Sequence, residues 1–343
     1  MVSLYDQTAL EALRKRLRLD PRVIRKVRSI FLRSFGGSVQ ALESVPEANR
    51  PDLVEAVRFH ELELAESRHS ARDGASKLLF RTRDGQSIES VILRIATGRS
   101  SVCVSSQTGC AAGCLFCATG RLKGVRNLTT AEILDQVVRA GEALAGEGRR
   151  LRNVVFMGMG EPFHNEDNLF TALGQLEGAD GFHLSGRHLL VSTLGIPDAI
   201  SRLSRSFPGV GLAVSLHSAR QEMRDTLMPL TRRWPLAELR QAILERNKSG
   251  QPVMIEILML DGMTDTPADL VALTEWLSGL DVHVNLIPYN PPLGAGEAAI
   301  RGSSESTVSS FLAGLKKAGF KATRRYSLGS DIGAACGQLA LRQ

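Results

Sequence analysis

The five cysteines are the residues whose type and spacing point most directly to chemistry. Four of them, Cys103, Cys110, Cys114 and Cys117, lie close together in the stretch CVSSQTGCAAGCLFC, and Cys336 sits near the C-terminal end. The chain starts MVSLYDQTALEALRKRLRLD, without the apolar segment of an export signal, so a cytosolic setting is expected. Cytosolic thiols seldom serve structural disulfides, which leaves metal or redox chemistry. Structural zinc is one reading, with Cys103 as the fourth ligand of an all-cysteine site. Zinc sites usually pair their ligands as two knuckles from separate segments, however, and here C-x3-C-x2-C puts Cys110, Cys114 and Cys117 in one glycine-punctuated loop. Three thiolates so placed suit three irons of a [4Fe–4S] cluster, with the fourth iron left open.

Those thiols need elements to position them. A chain of 343 residues suits one large α/β domain with an appendage, or two ordinary domains. Hydrophobic residues make up 43%, enough for a full core, and the 5% aromatic content argues against an aromatic-rich β architecture. No apolar run approaches the ~20 residues that span a bilayer, so no membrane association is expected. The formal charge is +6 and the pI about 9.3. Between Arg14 and Arg33, nine Lys/Arg face the single acid Asp20 in a stretch with Leu and Ile at helical intervals. Such a segment is either a solvated helix face or a footprint for phosphate, and in a basic protein it leans toward nucleic acid.

Residues 1 to about 75 read as helical and polar. LLFRTR (78–83) and SIESVILRI (87–95) then flank Asp84-Gly85, a hairpin turn dipeptide. Apolar runs follow at 102–106, 153–157, 188–193, 211–217, 253–260 and 283–287, with helical segments between them. One of these helices opens on Thr129-Thr130 followed by Glu132, a plausible cap. Alternation of this kind implies parallel strands joined by crossovers. Six units are too few for a closed eight-stranded barrel, leaving a partial (βα)6 barrel or an open doubly wound sheet. Either architecture gathers its chemistry at the C-terminal strand ends.

Those ends carry candidates. MGMGEP (157–162) offers glycines for close backbone approach, and Glu161 can accept from an ammonium. Ser192-Thr193, Ser215-Leu216-His217 and Tyr289-Asn290 close later runs. Taken singly, such residues often just cap helices or neighbour polar groups. Together on one rim they suit a cofactor ring, and the open iron of a three-cysteine cluster is the position that S-adenosylmethionine (SAM) chelates in radical-SAM enzymes.

At this point a family resemblance enters. CVSSQTGCAAGCLFCATG, FMGMGEP, SLHS, LMLDG, NLIPYNP and above all GSDIGAACGQL resemble the RlmN/Cfr family of radical-SAM RNA methyltransferases, over roughly Leu78 to Leu341. The resemblance implies an α/β fold: a partial (βα)6 radical-SAM barrel over 99–320, a small N-terminal helical domain that contacts RNA over 1–75, a β-hairpin extension over 76–98, and a tail over 321–343. It implies a [4Fe–4S] cluster on Cys110, Cys114 and Cys117, with SAM contacts at Gly160, Glu161, Ser192, Ser215, Leu216, His217 and Asn290. In that family a first SAM methylates the tail cysteine, here Cys336, and a second yields a 5′-deoxyadenosyl radical that takes hydrogen from the S-methyl group. The methylene then adds to an adenine carbon, C2 or C8. Cys103 forms a transient disulfide with Cys336 to release the product, and Glu89 matches the general base.

The implied substrate is RNA, 23S ribosomal RNA first and transfer RNA as a second candidate, with a flavodoxin-type electron donor supplied from outside. The scheme is chemically sensible. Adenine's amidine carbons are poor nucleophiles, and a methyl group tethered to Cys336 is held at high effective concentration beside the base. A nearby thiol can break the final C–S bond by disulfide formation. One departure stands out: LDPRVIRKVRSIFLR keeps the basic helical character of the family's N-terminal domain but not its G-x-P-x-[YF]-R-x-x-Q signature. GMGEP and NLIPYNP resemble the C2-methylating branch, whereas FCATG, VSTLG and LGSDI resemble the C8-methylating branch. Two alternatives remain at this stage: the same chemistry on a different RNA or small molecule, and a non-catalytic RNA-binding protein stabilised by zinc or a cluster.

Overall fold

The computed structural model describes residues 1–95, 97–122, 124–291 and 300–339. The outermost tail residues, 340–343, lie outside the described residues. The chain opens with a two-residue strand, β1 (Val2–Ser3), and four helices: α1 (Gln7–Arg16), α2 (Pro21–Leu32), α3 (Gly37–Glu43) and α4 (Arg50–Ala56). Strand β2 (Val57–Arg58) pairs in parallel with β1. Asp20 caps α2 through its side chain, and Pro21 occupies the first turn, where its missing N–H costs nothing. Ile24, Val27, Phe31 and Leu32 form the buried stripe of α2.

The basic run divides in two. Lys15, Arg16, Arg18, Arg22, Arg25 and Lys26 remain exposed. Arg28 is buried instead and donates to the carbonyls of Leu4 at 2.6 Å and Asp180 at 3.3 Å. Arg33 likewise donates to the carbonyls of Gly181 at 3.0 Å and Ala179, so two members of the run are mortar between the helical domain and the core.

A ten-stranded sheet runs through the rest of the molecule. Its antiparallel part is β3 (Glu63–His69), β4 (Ala75–Arg81) and β5 (Ser87–Arg94), which joins β6 (Ser100–Cys103) antiparallel. From β6 onward all pairings are parallel and in chain order, through β7 (Leu151–Phe156), β8 (Leu189–Thr193), β9 (Gly211–Ser215), β10 (Val253–Met259), β11 (Val282–Pro288) and β12 (Lys321–Arg324). Helices α5 (Thr130–Gly146), α6 (Glu166–Glu177), α7 (Pro197–Ser206), α8 (Gln221–Leu227), α9 (Leu236–Asn247), α10 (Pro267–Leu277) and α11 (Glu305–Lys317) lie in the crossovers. This is the α/β architecture expected from the alternation: sequential parallel strands, both edges free of mutual pairing, a partial barrel. The inner parallel strands β6 to β11 are largely buried and apolar, as parallel strands covered by helices require.

The sheet corrects the sequence reading at both edges. Helix was expected up to about residue 75, yet Glu63–His69 is a strand. ELAESRH is exposed or half-buried throughout, so as an edge strand it needs no apolar alternation to betray it. At the other edge, Lys321–Arg324 is a short strand on β11, with only Ala322 buried, inside what had read as tail. The Asp84-Gly85 hairpin forms as expected, with Gly85 at φ 81°. Thr129 and Glu132 make a reciprocal capping box on α5. No helix among the described residues is long and apolar enough to cross a membrane.

A further fastening of the helical domain to the core is a single carboxylate. Asp135 on α5, fully buried, accepts from Tyr5 Oη at 2.6 Å and from the backbone N–H groups of Glu61 and Leu62 at 2.8 Å each. His60 Nδ1 lies 2.8 Å from the same carboxylate, and its Nε2 lies 3.4 Å from Glu142.

Candidate active site

A cavity of about 370 Å³ opens at the C-terminal ends of the parallel strands. Nine of the residues singled out from sequence line it: Cys103, Cys110, Cys114, Cys117, Gly160, Glu161, Ser192, Ser215 and His217, and Cys336 joins them from the tail. Leu216 does not line it. Its side chain is buried in the core, and its carbonyl accepts from Arg224 Nη1 at 3.4 Å. Asn290 is also off the cavity wall, where its amide donates to Ser327 Oγ at 2.8 Å and steadies the segment leading to Cys336. Glu89 lies on β5, on the same strand face as the lining residues Val91 and Leu93, but is itself buried beneath the wall.

The cysteine loop follows β6 directly. It is held by Leu115 N–H on the Leu227 carbonyl at 3.0 Å and by Ala118 N–H on the Gly337 carbonyl at 2.8 Å. Burial pushes the Cys110 thiol up to about 12, and Cys114 further, with neighbouring thiols of the loop adding to both shifts. Among the described residues no three His, Cys, Asp or Glu side chains converge as the ligands of one metal ion do, which disfavours the zinc reading. Three thiols of one loop on the wall of a largely apolar cavity fit a larger inorganic group that takes one thiolate per iron.

Glu161 is placed by glycines. A Cβ at Gly158 would lie 2.7 Å from the Val104 carbonyl, and one at Gly160 would lie 2.7 Å from Gln107 Cβ. Gly160 also has φ 102°, which L side chains rarely adopt. The carboxylate accepts from Leu194 N–H at 2.7 Å and Phe163 N–H at 3.0 Å. Burial nevertheless pushes its pKa up to about 7, against those hydrogen bonds. A cationic group entering the cavity would restore its charge.

His217 sits at φ 58° with its ring edge-on to Phe116, the centroids 4.8 Å apart. Burial pushes it down to about 3, with Arg224 acting in the same direction, so the ring is neutral. Nδ1 accepts from Leu258 N–H at 3.2 Å, leaving Nε2 as the N–H donor.

Three further residues belong to the site without having announced themselves in the sequence. Arg325 lines the cavity just beyond β12. Its guanidinium lies 3.7 Å from Glu256 Oε1 and is held protonated chiefly by Cys336, against burial, with Glu256 and Cys103 adding to the effect. Glu256 on β10 is almost wholly buried, burial raises its pKa, and its Oε2 has no hydrogen-bond partner among the described residues. That orphaned acceptor in the cavity wall suits a ligand bearing hydroxyl or amino donors. Lys77 on β4 forms a buried ion pair with Glu89 at 3.0 Å and reaches the Gly333 carbonyl at 3.5 Å. In sequence, Arg325 and Lys77 look like any surface cation.

Cys103 ends β6, and burial pushes its thiol up to about 12, with Cys336 acting the same way and Arg325 against. Both Cys103 and Cys336 are free thiols in this structure. The Cys336 segment is clasped to the antiparallel strands. Asp331 accepts from Ser70 Oγ at 2.8 Å and Ala71 N–H at 3.2 Å, while Asp73 accepts from Gly329 N–H at 2.9 Å.

Cysteine loop, glycine-supported acid and partial barrel define a radical-SAM enzyme, and residues 104–274 match the radical SAM superfamily. The crystal structure of a radical SAM methyltransferase from Sphaerobacter thermophilus superposes with a TM-score of 0.92 at 37% identity, covering 99% of each chain. A probable RNA methyltransferase of Rhodopirellula baltica is 49% identical over 339 residues, 98% of this chain and 87% of the relative. The dual-specificity RNA methyltransferase RlmN of Anaeromyxobacter dehalogenans is 45% identical over 309 residues, 88% of this chain and 82% of the relative. The chain belongs to the RlmN family of radical-SAM RNA methyltransferases.

Proposed function

We propose that the protein methylates a ring carbon of adenine, C2 or C8, in RNA, using Cys336 as methyl carrier and Cys103 as resolving thiol. The primary substrate is 23S ribosomal RNA, with transfer RNA as a second. The observation that carries this reading is that Cys103 and Cys336, distant in sequence, line one cavity with the three-cysteine loop and with Arg325.

Cys110, Cys114 and Cys117 would hold the [4Fe–4S] cluster. Glu161 would take the ammonium of SAM, with Gly160, Ser192, Ser215, Leu216, His217 and Asn290 forming or supporting the rest of its pocket. When bound, the cluster and SAM supply the methyl group and the one-electron oxidation that activates it, with electrons from a flavodoxin-type donor in a cytosolic setting. The residues of the chain do the rest. Cys336 holds the methyl-derived carbon beside the base, so that its addition is effectively intramolecular. Glu89, oriented by Lys77, accepts the proton lost from the ring carbon, and the unpaired electron left on the adduct would return to the cluster, which gave up one electron when SAM was cleaved. Cys103 sulfur then attacks Cys336 sulfur, forming the S–S bond as the C–S bond to the base breaks. The released carbon takes up a proton to become the product methyl, and external thiols reduce the disulfide. The target adenine has to leave any stack to enter a cavity this enclosed.

Nucleoside mass spectrometry on ribosomal RNA tests the proposal, in cells that lack their own enzyme and express this one. Either 2-methyladenosine or 8-methyladenosine is the expected product, and chromatographic standards separate them. If neither forms while the anaerobic protein still cleaves SAM, the substrate assignment is wrong and the radical-SAM chemistry stands.

A further inference from the structure

The chain contains only three tyrosines. Tyr5 is buried in the helical domain, whereas the other two, Tyr289 and Tyr326, line the active-site cavity. Tyr289 is half-buried in the wall. Tyr326 is 80% exposed, the most solvent-accessible large hydrophobic side chain among the described residues. It follows Arg325, which lines the cavity with Cys336, so the same stretch of backbone that places a cation on the cavity wall places an aromatic ring at its mouth. Exposing an aromatic ring in water gains nothing for folding. Each tyrosine also has an arginine beside it. The Arg324 guanidinium carbon stands 5.9 Å from the centroid of the Tyr326 ring, and Arg324 is itself fixed by an ion pair with Glu305. Arg121, from the segment just after the cysteine loop, is close enough to Tyr289 to lower its pKa against the effect of burial.

A ring open to solvent beside a guanidinium, at the rim of a pocket that must receive an extruded base, has the composition of a nucleobase platform. Stacking uses the π-face that every base shares, and the neighbouring cation favours the phosphates that flank it. With most of its surface in water, Tyr326 cannot wall the cavity interior, so the base it meets lies at the mouth. We propose that Tyr326 stacks on the base of the nucleotide adjoining the target, holding the RNA strand at the mouth while the target base occupies the cavity. This inference rests on the RNA reading above.

The test compares binding of the purified holoenzyme to two fluorescein-labelled 12-mers, oligoadenylate and an abasic ribose-phosphate strand. Wild-type protein is expected to prefer oligoadenylate about tenfold, within the range of a single base–aromatic stack. Tyr326→Phe keeps that preference. Tyr326→Ala and Tyr326→Leu lose it, while their affinity for the abasic strand and its salt dependence stay as in wild type. With RNA substrate, Tyr326→Ala raises KM and leaves kcat nearly unchanged. An alanine variant that retains the full preference for oligoadenylate overturns the proposal, as does a loss of kcat with KM unchanged. Wild-type protein that binds both strands equally also overturns stacking but leaves the RNA reading intact. Failure to bind either strand brings down the RNA reading and the platform with it. The side chain is exposed, so none of these substitutions threatens folding.

Discussion

The parallel and antiparallel parts of the sheet hold their functional residues in opposite ways. On the parallel side, β6 to β10 carry, on the strands or just beyond their ends, buried groups such as Cys103, Glu161, Thr193, His217 and Glu256, each fixed by the core beneath it. On the antiparallel side, the turn between β3 and β4 clasps the Cys336 segment mainly through groups near the surface: Ser70, Ala71 and Asp73 with Gly329 and Asp331. Hydrogen bonds of this kind contribute about 1 kcal/mol each. Lys77 and its buried pair with Glu89 are the exception, an internal strut under an otherwise superficial clasp. The difference matches the two tasks. A cofactor site gains from rigidity, whereas the carrier proposed for Cys336, meeting first a methyl donor and then a base, would gain from contacts that open at low cost.

The largest expected effect separates the two regions outright. Cys110→Ala removes a proposed cluster ligand from the parallel side and is expected to abolish bound iron and turnover together. Cys336→Ala, on the tail, keeps the iron and loses only methyl loading. Iron analysis and intact-protein mass spectrometry distinguish them, and a methylated Cys336→Ala protein refutes the carrier role. Cys103→Ala, in single turnover, is expected to accumulate a protein–RNA adduct through Cys336.

Next comes the strut. Lys77→Met breaks a buried ion pair and is expected to cost about 3 kcal/mol in urea unfolding, with Lys77→Arg recovering most of it. A loss no larger than that of an exposed pair would place Lys77 among the surface contacts and blur the comparison.

A third effect concerns the fastening of the helical domain. His60 is partly desolvated, which opposes protonation, but its hydrogen bonds to Asp135 and Glu142 raise its pKa from 6.5 to about 9. The folded state therefore binds the proton more tightly than the unfolded state. The stabilisation is full below pH 6.5 and is lost as pH rises toward about 9. Allowing for partial exposure, it is about 2 kcal/mol. The stability difference between wild type and His60→Gln is expected to shrink over that window, and a difference independent of pH would refute the charged pair.

The smallest effect tests the clasp. Ser70→Ala removes the hydroxyl that donates to Asp331 and accepts from the Arg72 and Asp73 N–H groups, all near the surface, and global stability is expected to change by about 1 kcal/mol. Amide exchange over residues 330–337 is expected to quicken several-fold while amides of β8 to β10 stay protected. Uniform acceleration would mean that the tail is as integral to the core as the cysteine loop.

Much of the site could be read without coordinates because its signals are local. Three cysteines in one loop, glycines just before Glu161 and polar residues after apolar runs each occupy a few consecutive positions. The backbone alone brings them to a rim once parallel strands are assumed. β3 was missed because an edge strand with no face to bury has no need of alternation, and β12 because four residues with one buried alanine carry no period. Arg325, Glu256 and Lys77 were missed for a different reason. A charged side chain has no sequence signature for burial, because its partners lie on other strands.

The sequence by itself determined the α/β class, the alternation of parallel strands with helices, the cysteine loop and, through the motifs around Cys103 and Cys336, the family. These depend on spacing within a turn or a strand, which covalent geometry converts directly into position. Only the tertiary structure decided which charges are internal, how the tail is clasped to the antiparallel strands, and that Leu216 and Asn290 support the cavity from behind. Those outcomes depend on desolvation and on contacts between residues far apart in the chain, and both come into being only when the sheet is assembled.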